Sequence, residues 1–328
     1  MKLQQLRYLS AVVSNDLNVS TAARRLHTSQ PAISKQIRVL ERELGVHIFV
    51  RAGRQLTGIT AAGARVVERA QRVVHEAQQL KQIGRLRDSN DGVLSVGTTH
   101  TQARYVLPQI IQRFRASHAG VQIQLHVGTG EQIADMARSE RIDFAIATGT
   151  TELLSNWVLL PLYRWYRCII VPQGHPLTRH ARPTLAELAR YPLITYSFSV
   201  SGPSSLLDAF ARAGVEAEIA LTARDADVIK TYVRLGLGVG IVAEMAMDET
   251  ADADLVRIDA SHLLPLHQTW VGFSRNAVMR RYMYDFAAAL APHLEAHAVA
   301  AAQRCTSQAQ VDALFADSPV PLRRSGTS

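Results

Sequence analysis

The chain has 328 residues, 47% of them hydrophobic and 20% charged, which is enough apolar content for sizeable cores and excludes global disorder. Residues 1–90 carry 15 Lys+Arg against 6 Asp+Glu, whereas residues 91–328 carry 21 against 22; a basic module joined to a neutral body is the footprint of a nucleic-acid binder with a second task. Cys168 and Cys305 form no disulfide or metal pattern, the opening MKLQQLRYLSAVV is too polar for a signal peptide, and no run approaches the ~20 apolar residues that span a bilayer, so a cytoplasmic protein without membrane partners is expected.

Leu3 to Leu17 reads as a first helix, with Leu6, Leu9, Val12 and Val13 on its packing face. Asn18 to Gly45 holds two more helical patterns. Asn18 or Ser20 caps the first, and Ala22, Ala23 and Leu26 form its apolar face. His27 and Thr28 form a break, Thr28 or Ser29 caps the second helix, and Pro31 falls in its first turn, where a missing N–H costs little. Ile33, Ile37, Leu40 and Leu44 share one face; Gln30, Ser34, Lys35 and Arg38 share the other; Gly45 ends the helix. Two short helices around a tight turn, the second carrying amides and cations outward, describe a helix-turn-helix whose second helix enters the DNA major groove. VHIFVRAGRQLTGIT then reads as a two-stranded wing with Arg51 and Arg54 beside its tip, placed for phosphate. From Thr60 a long helix runs to about Arg87. Its Val66, Ala70, Val73, Ala77 and Leu80 recur at steps of four and three, a seam that pairs with the same helix of a second chain.

From Val93 strands alternate with helices. The expected elements are strands at 93–99, 121–129, 142–148, 157–162, 168–172, 192–196, 218–223, 239–246, 254–259 and 269–274, and helices at 102–118, 132–141, 184–190, 203–213, 225–236 and 279–297. Such alternation implies α/β layers with parallel sheets, and about 200 residues suit two lobes with a ligand crevice beyond the carboxyl ends of the strands. The segment from Ala298 is polar and Ala-rich, expected mobile apart from a weak helix near 308–316. The expected fold is therefore multidomain α+β. A winged helix-turn-helix spans 1–59 and a linker and dimerisation helix 60–90. A bilobal α/β effector domain spans 91–300, with lobe I at 91–161 and 268–300 and lobe II at 162–267, and a tail follows at 301–328.

Thr98, Thr99, His100, Thr101 and Gln102 run from a strand end into a helix start, where backbone N–H groups and hydroxyls attract anions. Thr148 ends a second strand of the same lobe, and Ser201-Gly202-Pro203-Ser204 precedes a helix of the other lobe. Neutral donors and helix dipoles of this kind bind a dianion without a buried arginine. His100 reads as a packing residue, and Asp225, Asp227 and Lys230 cap and lace a helix. Gly236, Gly238 and Gly240 end a helix and enter a strand, the reverse of a nucleotide fingerprint. No catalytic set, metal cluster or Walker loop stands out, so neither an enzyme nor a resident cofactor is expected.

These features together, over residues 1 to roughly 300, resemble the LysR-type transcriptional regulators. AARRLHTSQPAISKQIRVLERELGVHIFVR is similar to that family's DNA-binding signature, and the DNA-contacting set becomes Ser29, Gln30, Pro31, Ser34, Lys35, Arg38, Arg51 and Arg54. MKLQQLRY, TTHTQARY at 98–105, DFAIAT at 143–148 and DADVIKTYVRLGLGVG at 225–240 resemble the family's CysB branch. The resemblance implies a cytoplasmic homotetramer built as a dimer of dimers, promoter DNA and RNA polymerase as partners, and a role in sulfur assimilation, cysteine biosynthesis or organosulfur use. It also implies a small effector between the lobes: sulfate, thiosulfate or sulfide, O- or N-acetylserine, or adenosine phosphosulfate. The branch's sulfate-contacting positions match Thr99, Thr101, Gln102, Thr148 and Ser201, the last replacing the usual threonine. Control of sulfonate or sulfate-ester use instead of cysteine synthesis stays open, as does the more distant reading of a small-anion binding protein or enzyme.

Overall fold

A computed structural model of the chain describes all residues except 54, 84–90, 150, 155, 181, 201–205 and 326–328, with the side chains of 75, 76, 78–83 and 151 also left undescribed. Arg54 and Ser201, both expected site residues, therefore lie outside the described residues. The chain divides into two compact units, one of Met1–Ser89 with Asp135–Arg141 and the other of Asn90–Ala134 and Ile142–Ser328.

The first unit contains α1 (Leu3–Val13), α2 (Val19–Arg25), α3 (Gln30–Leu44), β1 (Phe49–Ala52), β2 (Gln55–Ile59) and α4 (Ala61–Ile83). The caps are those the sequence suggested. Asn18 accepts the Thr21 N–H at 3.0 Å, Ser29 accepts that of Ala32 at 3.3 Å, and Gly45 closes α3 at φ 68°, which costs glycine nothing. Ile33, Ile37 and Leu40 are buried against Leu6, Leu9 and Val12, but Leu44, at the helix end, is exposed. α1 stops earlier than expected because Asp16 and Leu17 turn the chain at positive φ. Thr60 caps α4, accepting the Gly63 N–H at 2.8 Å while donating to the His47 carbonyl at 2.6 Å. Gly63 is required by close approach: a Cβ there would stand 2.1 Å from the Ile48 carbonyl oxygen. The expected seam is partly used within the chain, since Val67 and Ala70 are buried in this unit's core while Val73 remains 45% exposed.

The second unit holds two five-stranded sheets. The first lobe's sheet contains β3 (Gly92–Thr98), β4 (Val121–Val127), β5 (Phe144–Thr148), β6 (Trp157–Trp165) and, returning from the other lobe, β12 (His267–Ser274) in the order β4-β3-β5-β12-β6. The second lobe's sheet contains β7 (Arg167–Pro172), β8 (Leu193–Tyr196), β9 (Ile219–Ala223), β10 (Val239–Ala243) and β11 (Leu255–Asp259) in the order β11-β7-β10-β8-β9. The βα crossovers give parallel pairs in each sheet, whereas β12 pairs antiparallel with β5 and β6, and β7 with β10 and β11. β6 continues to Trp165, so the first crossing between lobes is Tyr166, later than the expected boundary after Pro161.

The connecting helices are α5 (His100–Tyr105), α6 (Leu107–Ser117), α7 (Gly130–Arg138), α8 (Leu185–Leu188), α9 (Leu206–Arg212) and α10 (Ala226–Arg234), followed by α11 (Arg281–Leu290), α12 (Ala296–Arg304) and α13 (Gln308–Leu314). Two expected single helices are broken. Pro108 has no N–H for the Arg104 carbonyl, and the chain kinks at Val106 between α5 and α6. Pro292 separates α11 from α12 in the same way.

The expectation of a mobile tail is overturned. Val299, Ala302, Val311 and Phe315 are buried in the main core. β6 is the edge of its sheet, and the tail satisfies that edge. The Gln308 amide accepts from the Leu159 N–H at 3.1 Å and donates to the Leu159 carbonyl at 2.8 Å, as a neighbouring strand would. Further along, the Arg164 N–H donates to the Pro321 carbonyl at 2.8 Å, and the Arg323 N–H to the Arg164 carbonyl at 2.7 Å. The Ala-rich composition hid four well-spaced apolar anchors.

Candidate functional site

Of the DNA-contacting candidates, Ser29, the cap of α3, and Gln30, Pro31, Lys35 and Arg38 within it are exposed, and Ser34 is half-buried. The Ser20 hydroxyl donates to the Gln30 side-chain oxygen at 3.3 Å, linking the two helices at the free face. Arg51 has another occupation. Its guanidinium donates to Glu41 at 2.8 Å, and the buried Glu41 carboxylate also accepts the Ile48 and Phe49 N–H groups at 2.9 and 3.3 Å. Arg51 and Glu41 thus fasten the wing to α3, which the spacing of charges alone did not show.

In the second unit, β3 delivers Thr98 and Thr99 to the start of α5. Thr99 sits at the N-cap in extended conformation, and its hydroxyl donates to the Gln102 side chain instead of capping a backbone N–H. Thr101 and Gln102 are buried. The break at Val106 leaves only six residues of α5 to contribute a dipole, less than a continuous helix would supply.

Register aligns the remaining donors. Thr269 of β12 lies opposite Thr148 of β5 on one side and Tyr163 of β6 on the other. The Thr148 and Thr269 hydroxyls are 2.7 Å apart, and the Trp165 indole N–H donates to Thr269 at 3.1 Å and to Thr148 at 3.3 Å. Burial pushes the Tyr163 phenol above its usual pKa, and its buried hydroxyl has no hydrogen-bond partner among the described residues. A row of hydroxyls, Thr148–Thr269–Tyr163, therefore lies side by side on β5, β12 and β6, joining one expected effector residue, Thr148, to two that sequence reasoning missed, while Thr99 and Gln102 bond to each other at the start of α5.

The crossing strands bring two more groups. His267 stacks on Trp165 with ring centroids 4.6 Å apart. Burial, reinforced by the positive field of Arg167, lowers its pKa to about 3. In the unfolded chain histidine takes its proton near 6.5, so folding stability is full above that pH and is lost as pH falls from 6.5 toward 3. His267→Phe, which keeps the stack, is expected to shrink the fall in melting temperature between pH 7.5 and 5.5; an unchanged fall in thermal melts would sink this assignment. Arg167 itself, 2% exposed, donates to the Ser199 hydroxyl at 3.0 Å. Burial lowers its pKa to about 10. The sequence hint of this buried cation was a lone arginine opening the apolar strand RCIIV.

Beside this row, α5 and α10 join the lobes. Arg104 pairs with Asp227 at 2.7 Å, Tyr105 donates to Asp227, and Lys230 donates to the Tyr105 hydroxyl at 3.1 Å and pairs with buried Asp252 at 2.5 Å. Asp225 caps α10 as expected, accepting the Val228 N–H at 2.9 Å. His100, Asp225 and Asp227 place ligand-type atoms within 4.8 Å of one another, but these hydrogen bonds already engage both carboxylates.

A basic winged helix-turn-helix followed by a bilobal α/β domain defines the architecture of a DNA-binding transcriptional regulator. Residues 3–64 match the bacterial regulatory helix-turn-helix proteins of the lysR family, and residues 87–295 match the LysR substrate binding domain. The chain is 45% identical over 316 residues to the HTH-type transcriptional regulator CysB of Haemophilus influenzae, covering 96% of this chain and 98% of that one. It is 42% identical to SsuR of Burkholderia cenocepacia, with 90% and 96% coverage, and 41% identical to cbl of Escherichia coli, with 87% and 91%. The cofactor-binding domain of the Cbl transcriptional regulator, 40% identical, superposes with a TM-score of 0.59 over 62% of this chain and 90% of that one. Full-length CbnR complexed with its target DNA shares the fold at 23% identity, with a TM-score of 0.64 over 88% and 99%. The chain belongs to the LysR family of transcriptional regulators, as the signature segments suggested, and the relatives are named as regulators, not enzymes. No helix among the described residues is long and apolar enough to cross a membrane.

Proposed function

We propose that the protein is a cytoplasmic regulator of sulfur-metabolism genes that takes a small anionic effector between its lobes. The observation that carries the effector reading is the hydroxyl row Thr148–Thr269–Tyr163 on adjacent strands, with Gln102 of α5 as a further donor. Thr99, Thr101 and, from the sequence, Ser201 complete the set. The similarity to CysB, SsuR and cbl supports the sulfur circuit. Effector binding shifts the lobe angle to the extent that it favours one state over the other. Isothermal titration of the full-length protein with sulfate, thiosulfate, N-acetylserine and adenosine phosphosulfate tests this reading, and absence of binding by all four overturns it. The preferred ligand separates cysteine synthesis from sulfonate or sulfate-ester use.

On DNA, α3 reads base edges through Gln30 and Ser34, and Lys35 and Arg38 hold phosphates. Self-association through the exposed part of α4 around Val73 gives the two-fold reader, and two such dimers give the tetramer that engages RNA polymerase at the promoter. Gln30→Ala is expected to narrow the gap between specific and nonspecific sequences by roughly 1–3 kcal/mol. Lys35→Ala is expected to weaken binding to all sequences and lower the salt slope by ~0.9. Salt-dependent mobility-shift titrations on both sequence types distinguish these outcomes, and a Lys35→Ala slope equal to the parent's removes Lys35 from the phosphate set.

A further inference from the structure

The second lobe buries two cations, and their surroundings differ. Lys230, 2% exposed, is neutralised by Asp252. Arg167 is equally buried, yet its sole hydrogen bond among the described residues is to the neutral Ser199 hydroxyl; Nε and Nη1 are buried without partners, and no described carboxylate pairs with it. Buried charges are ordinarily paired, because an uncompensated ion in a low-dielectric site is costly. Such a group is kept where a counter-charge arrives with a ligand.

The position of Arg167 says where that ligand sits. It opens β7 immediately after the Tyr166 crossing, its field reaches His267 at the return crossing, and its hydrogen bond is to the turn that ends two residues before Ser201. It therefore lies where the chain crosses between the two lobes, beside the strand that returns. We infer that Arg167 is the residue that reads the effector's charge, presenting the free edge of its guanidinium to an oxyanion group of the ligand, a sulfate group or a carboxylate. This rests on the crevice being the effector site. The planar fork suits two oxygens of one tetrahedral or trigonal anion, as an ammonium would not. The neutral donors of the first lobe then set shape and orientation, and the anion completes a charge pair that the folded chain leaves open.

The test uses the full-length protein and its Arg167→Met and Arg167→Lys variants, titrated with sulfate, N-acetylserine and the neutral N-acetylserinamide, with melting temperatures recorded with and without sulfate. The expected result is a loss of about thirtyfold or more for both anions in Arg167→Met. Arg167→Lys should fall between, and the parent protein should discriminate against the amide. Unliganded Arg167→Met should melt at or above the parent, because an unpaired buried charge is gone, and its sulfate-induced shift should vanish. Sulfate and N-acetylserine affinities within threefold of the parent, an amide that binds the parent as well as the acid, or an unliganded Arg167→Met that melts well below the parent each overturns the inference. In that last case Arg167 is a scaffold residue for the Ser199 turn. A parent protein that binds no anion overturns the effector-site reading as well, whereas a binding parent with an equally binding Arg167→Met overturns this inference alone.

Discussion

Ending the chain after His297 is expected to cost the second unit most of its stability and to cause aggregation. The deletion removes buried Val299, Ala302, Val311 and Phe315. At about 1.5–3 kcal/mol for each larger side chain, their loss is of the order of a domain's entire net stability. It also strips β6 of the Gln308 amide and of the backbone pairs with Pro321 and Arg323, leaving an apolar edge strand open to other chains. Ending the chain after Ser318 keeps the helices and the Gln308 pair, so a smaller loss is expected. Soluble yield and thermal melts check both; a chain ending at 297 that melts with the full protein would show the tail to be dispensable.

Glu41→Ala is expected to lower the stability of the first unit by roughly 3 kcal/mol and to abolish specific DNA binding. The substitution leaves the Ile48 and Phe49 N–H groups without their acceptor, at ~1–3 kcal/mol for each buried group, and frees Arg51. The wing then has no fixed position against α3. Arg51→Ala should do less, because a half-exposed ion pair contributes at most about 1 kcal/mol. Its salt slope should equal the parent's if Arg51 serves Glu41 and not a phosphate. Denaturant melts and salt titrations separate the two roles, and a slope lower by ~0.9 for Arg51→Ala would return Arg51 to the DNA contacts.

The first unit was legible because its signals are local. The caps at Asn18 and Ser29, the stop at Gly45 and the buried stripe Ile33–Ile37–Leu40 each depend on residues within one or two turns. The second unit was legible as alternation, and its helix breaks at Val106 and Ala291 were missed although Pro108 and Pro292 announced them. The candidate site was half legible. Thr99, Thr101, Gln102 and Thr148 were named from strand ends, but Thr269, Tyr163, His267 and Arg167 were not, since each acquires its place by pairing with strands far away in the chain.

By itself the sequence determined the basic helix-turn-helix, the order of strands and helices, the family, and the strand ends that carry hydroxyls, because composition, periodicity and capping are properties of neighbouring residues. Tertiary structure decided which charges are paired. It set Arg51 against Glu41 and Lys230 against Asp252, left Arg167 without a carboxylate among the described residues, and folded an Ala-rich tail onto β6. Burial and charge compensation are sums over every segment that packs around a group, so no single stretch of sequence contains them.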